Sequence, residues 1–139
     1  MATVTTFVSG TQEHLDLAGR AIGACNTLNF AATAVSAADV VQALKIPANA
    51  LVTRVTTIIR TAEGATCTAT VGDGTTADGW DASVNLNAAA GTTLRSLEAT
   101  DTYGVGVFYS SADTIDLVMG HDTDAAKVTV MAEYSMVDR

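Results

Sequence analysis

Apolar and polar residues alternate with a period of two along most of this chain, the spacing of strands whose two faces see different surroundings. Over residues 126–136, Val128, Val130, Ala132, Tyr134 and Met136 oppose Lys127, Thr129, Met131, Glu133 and Ser135. Residues 114–119 set Ile115, Leu117 and Met119 against Thr114, Asp116 and Val118, and residues 66–71 set Cys67, Ala69 and Val71 against three threonines. Residues 51–60 put Leu51, Val55 and Ile59 on one face and Arg54 and Arg60 on the other. Residues 103–109 are aromatic and β-branched, with Gly104 and Gly106 sharing a face, which suggests a bulge or a close backbone approach.

Turn signals punctuate these runs. Pro47-Ala48-Asn49 separates residues 40–46 from 51–60, and Glu63-Gly64 precedes the next run. Ser111-Ala112-Asp113 and the stretch from His121 to Asp124 read as short connections of hairpin type. Strands at roughly ten-residue spacing with turns between them predict an all-β fold, an antiparallel β-sandwich of jelly-roll type with little helix. Ser36 could cap a helical turn over residues 37–44, but the pair Val40-Val41 opposes it. The chain reads as one domain. Residues 1–26 are expected to form an arm or first strands that touch neighbours, and residues 27–139 the sandwich.

The polar residues cluster in turns. The run TAEGATCTATVGDGTTADGW is a tight turn, a short strand and a Gly/Asp/Thr loop ending in the single tryptophan, Trp80. A weaker echo aligns Val71-Gly72-Asp73-Gly74-Thr75 with Met119-Gly120-His121-Asp122-Thr123. Asp73, Asp78 and Asp81 invite a calcium reading, but they lack the D-x-D-x-D-G order and its closing Glu. A solvated turn with Asp capping backbone N–H groups is the simpler expectation. His14 and His121 stand in no metal-ligand spacing, and neither a G-x-S-x-G nucleophile nor a phosphate-binding loop is present. No catalytic, cofactor-binding or metal-binding residue is assigned, no cofactor is expected, and the chain is read as no enzyme. Trp80 could stack on a sugar, although a loop-end tryptophan more often pins its loop to the core or to a neighbouring subunit.

Composition narrows the partners. Fifteen acids against seven lysines and arginines leave a net charge of −8, which disfavours phosphate backbones and anionic membranes. The start, MATVTTFVSG, has neither a basic region nor a long apolar run, so no signal peptide is expected, and no segment reaches membrane-spanning length. The two cysteines, Cys25 and Cys67, fit no disulfide scaffold, and Cys67 reads as a small core residue. Mean hydropathy is positive (+0.29) without a long helix to absorb it, so part of the apolar surface is expected between subunits.

The runs VVQALKIPANALVTRVTT, TAEGATCTATVGDGTTADGW, DASVNLNAAAGT and SSADTIDLVMGHDTDAAKVTVMAEY together resemble small virion proteins of tailed bacteriophages. More narrowly they are similar to capsid decoration, or cement, proteins and related head proteins. The resemblance spans residues 40–134 and rests on turns and strand patterns. It implies a jelly-roll sandwich that clamps the outer capsid surface, with the major capsid protein as partner and with itself as a homotrimer or, second, a dimer. It also implies a place on the virion, after synthesis in the host cytoplasm. The alternatives are a tail or head-fibre component, or a carbohydrate-binding sandwich module. Thr3, Val4, Phe7, Leu15, Leu17 and Trp80 are the candidate subunit or capsid contacts, because the first residues carry least internal patterning and termini are free to reach a neighbour.

Overall fold

A computed structural model describes residues 1–4, 22–95 and 102–137. They form ten strands and no helix: β1 (Thr3–Val4), β2 (Ile22–Asn29), β3 (Val40–Ile46), β4 (Ala50–Thr61), β5 (Thr68–Gly72), β6 (Asp81–Asn85), β7 (Thr93–Arg95), β8 (Val107–Tyr109), β9 (Asp113–Met119) and β10 (Lys127–Met136). Sheet A runs β1-β3-β9-β5-β6. Sheet B runs β2-β10-β4-β7, with β8 also pairing with β4. The two sheets bury one core between them, with Leu28, Val128, Val130 and Tyr134 from sheet B meeting Val41, Leu44, Ile115 and Leu117 from sheet A. The all-β sandwich read from the alternation is therefore the fold. The pairing is antiparallel except for β1 on β3, where Thr3 and Val4 run parallel to Val40 and Val41.

The inward faces follow the alternation in β5, β9 and β10: Ala69, Val71, Ile115, Leu117, Met119, Val128, Val130, Ala132 and Tyr134 are all buried, as is Cys67 just before β5. In β4 the parity breaks. Ala50 and Val52 point inward, then Val55, Thr57 and Ile59, so Leu51 lies outside the inward set predicted for it. The cause is a bulge. Glu133 pairs with Arg54 and Tyr134 with Val52, which leaves Thr53 as an extra residue and flips the face on either side of it. Residues 103–109 differ from their predicted strand in a similar way. Residues 102–105 form a turn, Gly106 takes φ +99°, and only Val107–Tyr109 pair.

The connections depart furthest from expectation. Ser110–Ala112 and 120–126 are not hairpin turns, because each carries the chain from one sheet to the other. Passages from β2 to β3, β3 to β4, β4 to β5 and β6 to β7 also cross. Among the described strands, β5 and β6 form the one hairpin, joined by the loop from residue 73 to 80. Turn residues announce a reversal of direction but not the layer in which the chain resumes. The residues proposed as a helical turn after Ser36 instead lead into β3, and Ala38 takes φ +69° as the Ser36 and Asp39 backbones bond. The boundary drawn between residues 26 and 27 falls inside β2, which pairs with β10 from Ile22 to Asn29.

Polar groups bind these connections together. Asn26 Nδ2 donates to the Ala43 carbonyl at 3.0 Å, reaching from sheet B to sheet A. Buried Glu63 Oε2 accepts from the N–H groups of Ala125 (3.1 Å) and Ala126 (2.8 Å) and so ties two crossings to each other. Burial alone would push that carboxyl up, but the N–H groups of Ala126, Ala125 and Asp124 outweigh it and hold it below its ordinary value.

The two thiols lie in different surroundings. Cys25 is exposed, whereas Cys67 is fully buried with its Sγ 3.0 Å from Thr123 Oγ1, and burial pushes its thiol pKa up. Native protein is expected to expose one thiol of its two to an alkylating reagent, with Cys67 reacting only on unfolding. A serine at 67 would find Thr123 within reach, so Cys67→Ser should cost about 1 kcal/mol in denaturant melts rather than the larger penalty of an unmatched hydroxyl.

Candidate functional site

The loop after β5 is built around one carboxylate. Asp73 is buried, and its Oδ1 accepts from the N–H groups of Thr75 and Thr76, both at 2.8 Å, and from Tyr103 Oη at 3.2 Å. Its Oδ2 accepts from Tyr109 Oη at 2.8 Å. Tyr109 Oη in turn accepts from Trp80 Nε1 at 3.3 Å, and the rings of Trp80 and Tyr103 meet edge to face with centroids 5.3 Å apart. The expectation that Asp73 caps backbone N–H groups in a solvated turn holds for the loop, whose residues 74, 75, 77 and 78 are exposed, but two tyrosines close over the carboxylate itself.

Two glycines make this closure possible. A Cβ on Gly72 would lie 2.0 Å from the Thr76 carbonyl oxygen, so the loop folds back directly over that backbone. A Cβ on Gly79 would lie 2.4 Å from the Tyr103 ring. Thr70 Oγ1 holds the returning loop by donating to the Ala77 carbonyl at 2.8 Å.

Beside this clamp, β9 carries two more carboxylates. Asp113 Oδ1 accepts from the Thr114 N–H at 2.8 Å, and Asp116 Oδ1 accepts from Thr114 Oγ1 at 2.6 Å. Asp116 is 5% exposed. Burial, opposed by the Thr114 hydroxyl and reinforced by the charges of Asp113 and Asp73, raises its pKa to about 6. Burial and the neighbouring Asp73 likewise hold Tyr109 and Tyr103 in their neutral, donating forms.

A cleft of about 320 Å³ opens here, lined by Asp73, Tyr103, Phe108, Tyr109, Ser110, Ser111 and Asp113 among others. Its chemistry is limited. Both Asp73 oxygens are engaged by donors, and the two serines have no histidine or lysine among the lining residues to activate them. Among the described residues no group of three metal-ligating side chains converges, and Asp78 and Asp81 do not join Asp73 in one site. The arrangement is suited to fixing a loop.

The candidate contact residues separate. Thr3 is exposed and Val4 half-buried on β1, an edge strand of sheet A that the Ala2 carbonyl extends by accepting from Val40 N at 2.9 Å. Phe7, Leu15 and Leu17 lie outside the described residues. Trp80 is fully buried in the core, so the chain itself covers the surface it was expected to offer a neighbour, and the ring cannot serve as a sugar platform. The sequence signal for the Asp73 clamp was the Asp-Gly turn alone; Tyr103 and Tyr109 are 30 and 36 residues away and carry no local mark of their partner.

With this geometry in place, the fold can be compared with known structures. No described protein family matches the sequence, and no curated protein does. Three solved structures match in shape. A chain in the capsid of Ralstonia phage GP4 superposes with a TM-score of 0.65 at 15% identity, covering 99% of each chain. A chain in the capsid asymmetric unit of cyanophage Pam1 gives 0.64 at 16% identity over 94% of each. A chain in the acidic stable capsid of Helicobacter pylori bacteriophage KHP30 gives 0.54 at 16% identity, covering 85% of this chain and 89% of that one. All three come from phage capsids. At such identities the likeness is one of fold.

Two substitutions check the clamp and its neighbour. Asp73→Ala removes an acceptor from four donors and should lower stability by about 3 kcal/mol or more, while Tyr103→Phe, which loses one long bond, should cost under about 1 kcal/mol. Asp116 has the opposite sign to an ordinary paired carboxylate. Its pKa is raised on folding from 3.8 to about 6, so its contribution is most favourable below pH 4 and is lost as pH rises through 6. Asp116→Asn should therefore stabilise the protein at pH 7–8, by on the order of 1 kcal/mol, and the gap between variant and parent should close below pH 4 in thermal melts.

Proposed function

We propose that this chain is a non-enzymatic virion structural protein, a decoration or cement protein that binds the outer capsid surface and strengthens contacts between major capsid protein subunits. The observation that carries this reading is the match in shape to phage capsid chains over nearly the full length of both partners. Coverage that is near complete on both sides means that the likeness runs over almost the whole of those capsid chains and not over one part of them.

The molecule's physics is consistent with that role. A cement protein resists internal pressure by shape and stability and needs no reaction centre. Here the loops are fixed by buried hydrogen bonds, and among the described edge strands β1 has two residues and β7 and β8 three each, whereas β6 has five and β2 eight. Self-association as a homotrimer is the favoured state and a dimer the second, with the first residues, including Thr3, Val4, Phe7, Leu15 and Leu17, as candidate contacts. The burial of Trp80 removes the main support for a carbohydrate-binding module.

A reconstruction of the particle tests this reading. Density for this chain is expected on the outside of the shell at three-fold or quasi-three-fold positions, and shells stripped of it should disrupt at lower temperature. Density confined to the tail or a vertex would instead assign it to a tail or head-fibre component.

A further inference from the structure

Among the described edge strands, β2 is the one that nothing guards. Folded proteins blunt a sheet edge by shortness, charge, proline or a bulge. β1, β7 and β8 are short, and β6 begins on Asp81 and meets β5 across a register shift. β2 runs for eight residues without a charged residue or a proline, and it holds one unbroken register with β10.

The phase of that ladder tells which backbone groups lie on the open side. Phe30 N donates to the Ala126 carbonyl at 2.9 Å, and these two residues continue the β2–β10 register. Opposed residues in an antiparallel pair alternate between bonded and non-bonded, so the bonds to β10 come from the even-numbered residues of β2. Gly23, Cys25, Thr27 and Asn29 therefore turn their N–H and C=O groups away from β10. Asn29 agrees with this phase, since its carbonyl accepts instead from Ala32 N (3.1 Å) and Thr33 N (3.2 Å). Gly23, Cys25 and Thr27 are exposed, and among the described residues no backbone group bonds to theirs on the open side.

The side chains beside this edge define what fits it. Gly23 lies opposite Glu133, and a Cβ added to the glycine would meet nothing within 4 Å. The missing side chain leaves a notch that opens from the edge on to Glu133. Arg54 bonds Glu133 Oε1, yet the Glu133 side chain stays 43% exposed. A strand added at the edge would set its residue opposite Gly23 about 10 Å from Glu133, Cα to Cα, a gap that a lysine or arginine closes across the notch. The next outward row, Cys25 and Met131, is exposed and suits an apolar residue two positions along the added strand. A second β2 would bring no cation to the notch, because β2 has none.

We propose that the free edge of β2 takes up an extended segment of the major capsid protein as a further strand of sheet B, with a lysine or arginine over Gly23 and an apolar residue beside Cys25. Main-chain bonds to Gly23, Cys25 and Thr27 supply the hold, and the notch sets register and selects the segment. The proposal rests on the capsid-binding reading above and gives it a surface and a kind of partner segment.

Amide exchange of the full chain, free and bound to purified shells lacking the protein, tests this. In the free chain the Gly23, Cys25 and Thr27 amides should exchange about tenfold or more faster than those of Ala24, Asn26 and Leu28, and shell binding should slow them by a similar factor. Shell affinity of variants gives a second readout. Cys25→Pro removes an N–H that β10 does not use, so it should keep the fold by circular dichroism and weaken shell binding about tenfold or more, whereas Cys25→Ser should bind like the parent. Gly23→Val fills the notch and should weaken shell binding without lowering the melting temperature. Should Cys25→Pro fail to fold, the exchange pattern and Gly23→Val decide. Amides already protected in the free monomer would mean that the chain covers its own edge, and protection that comes with self-association alone would assign the edge to a second copy; either overturns the proposal. Shell binding that leaves the three amides fast also overturns it, while the decoration reading stands. A chain that binds no shell sinks that reading and this one with it.

Discussion

β10 is the strand on which the rest of the molecule is registered. It is paired along its length on both sides, with β2 from Lys127 to Tyr134 and with β4 from Lys127 to Met136. Its inward residues, Val128, Val130, Ala132 and Tyr134, run down the middle of the core. Because side chains alternate at every residue, a slip of one position in β10 would turn four buried side chains outward and bring Lys127 and Glu133 in. The bulge opposite Glu133 lets β4 keep apolar residues inward on both sides of an odd insertion, with Thr53 and Arg54 both set on the outer side of the break.

The Asp73 clamp solves a different problem at the far edge of the core. A hairpin loop of eight residues leaves many backbone groups in need of partners, and here one buried carboxylate answers several of them while two tyrosines and a tryptophan shut out water. Asp116, one strand over, lacks this compensation. It receives the Thr114 hydroxyl but sits near two other carboxylates, so the same edge holds a satisfied anion beside a frustrated one. Proximity to Gly72 explains the burial: Asp116 pairs with it across the β5–β9 ladder, beneath the returning loop.

The period-two pattern made the strand content and most of the inward faces legible, since burial on one face is a local property of each strand. Cys67 and Tyr134 could be placed in the core from their neighbours alone. What could not be read depends on residues far apart. Leu51 was placed by parity, but parity in β4 is reset by its pairing with β10. Trp80 looked available at a loop end, yet its burial depends on Tyr103 and Tyr109 arriving from elsewhere in the sequence.

Those crossings have a mechanical consequence. Consecutive strands fall in opposite layers at most steps, so any continuous stretch of three described strands contributes to both sheets. Neither layer can be peeled away while the other stays whole, since the described crossings thread each through its partner by covalent links of three to ten residues. A pull on one sheet is therefore shared with the other as shear across the common core and not concentrated on a single ladder. The same threading makes nearly all stabilising pairs distant in sequence, a topology that assembles slowly and yields as one unit. Among the described strands, opening either sheet opens the other with it.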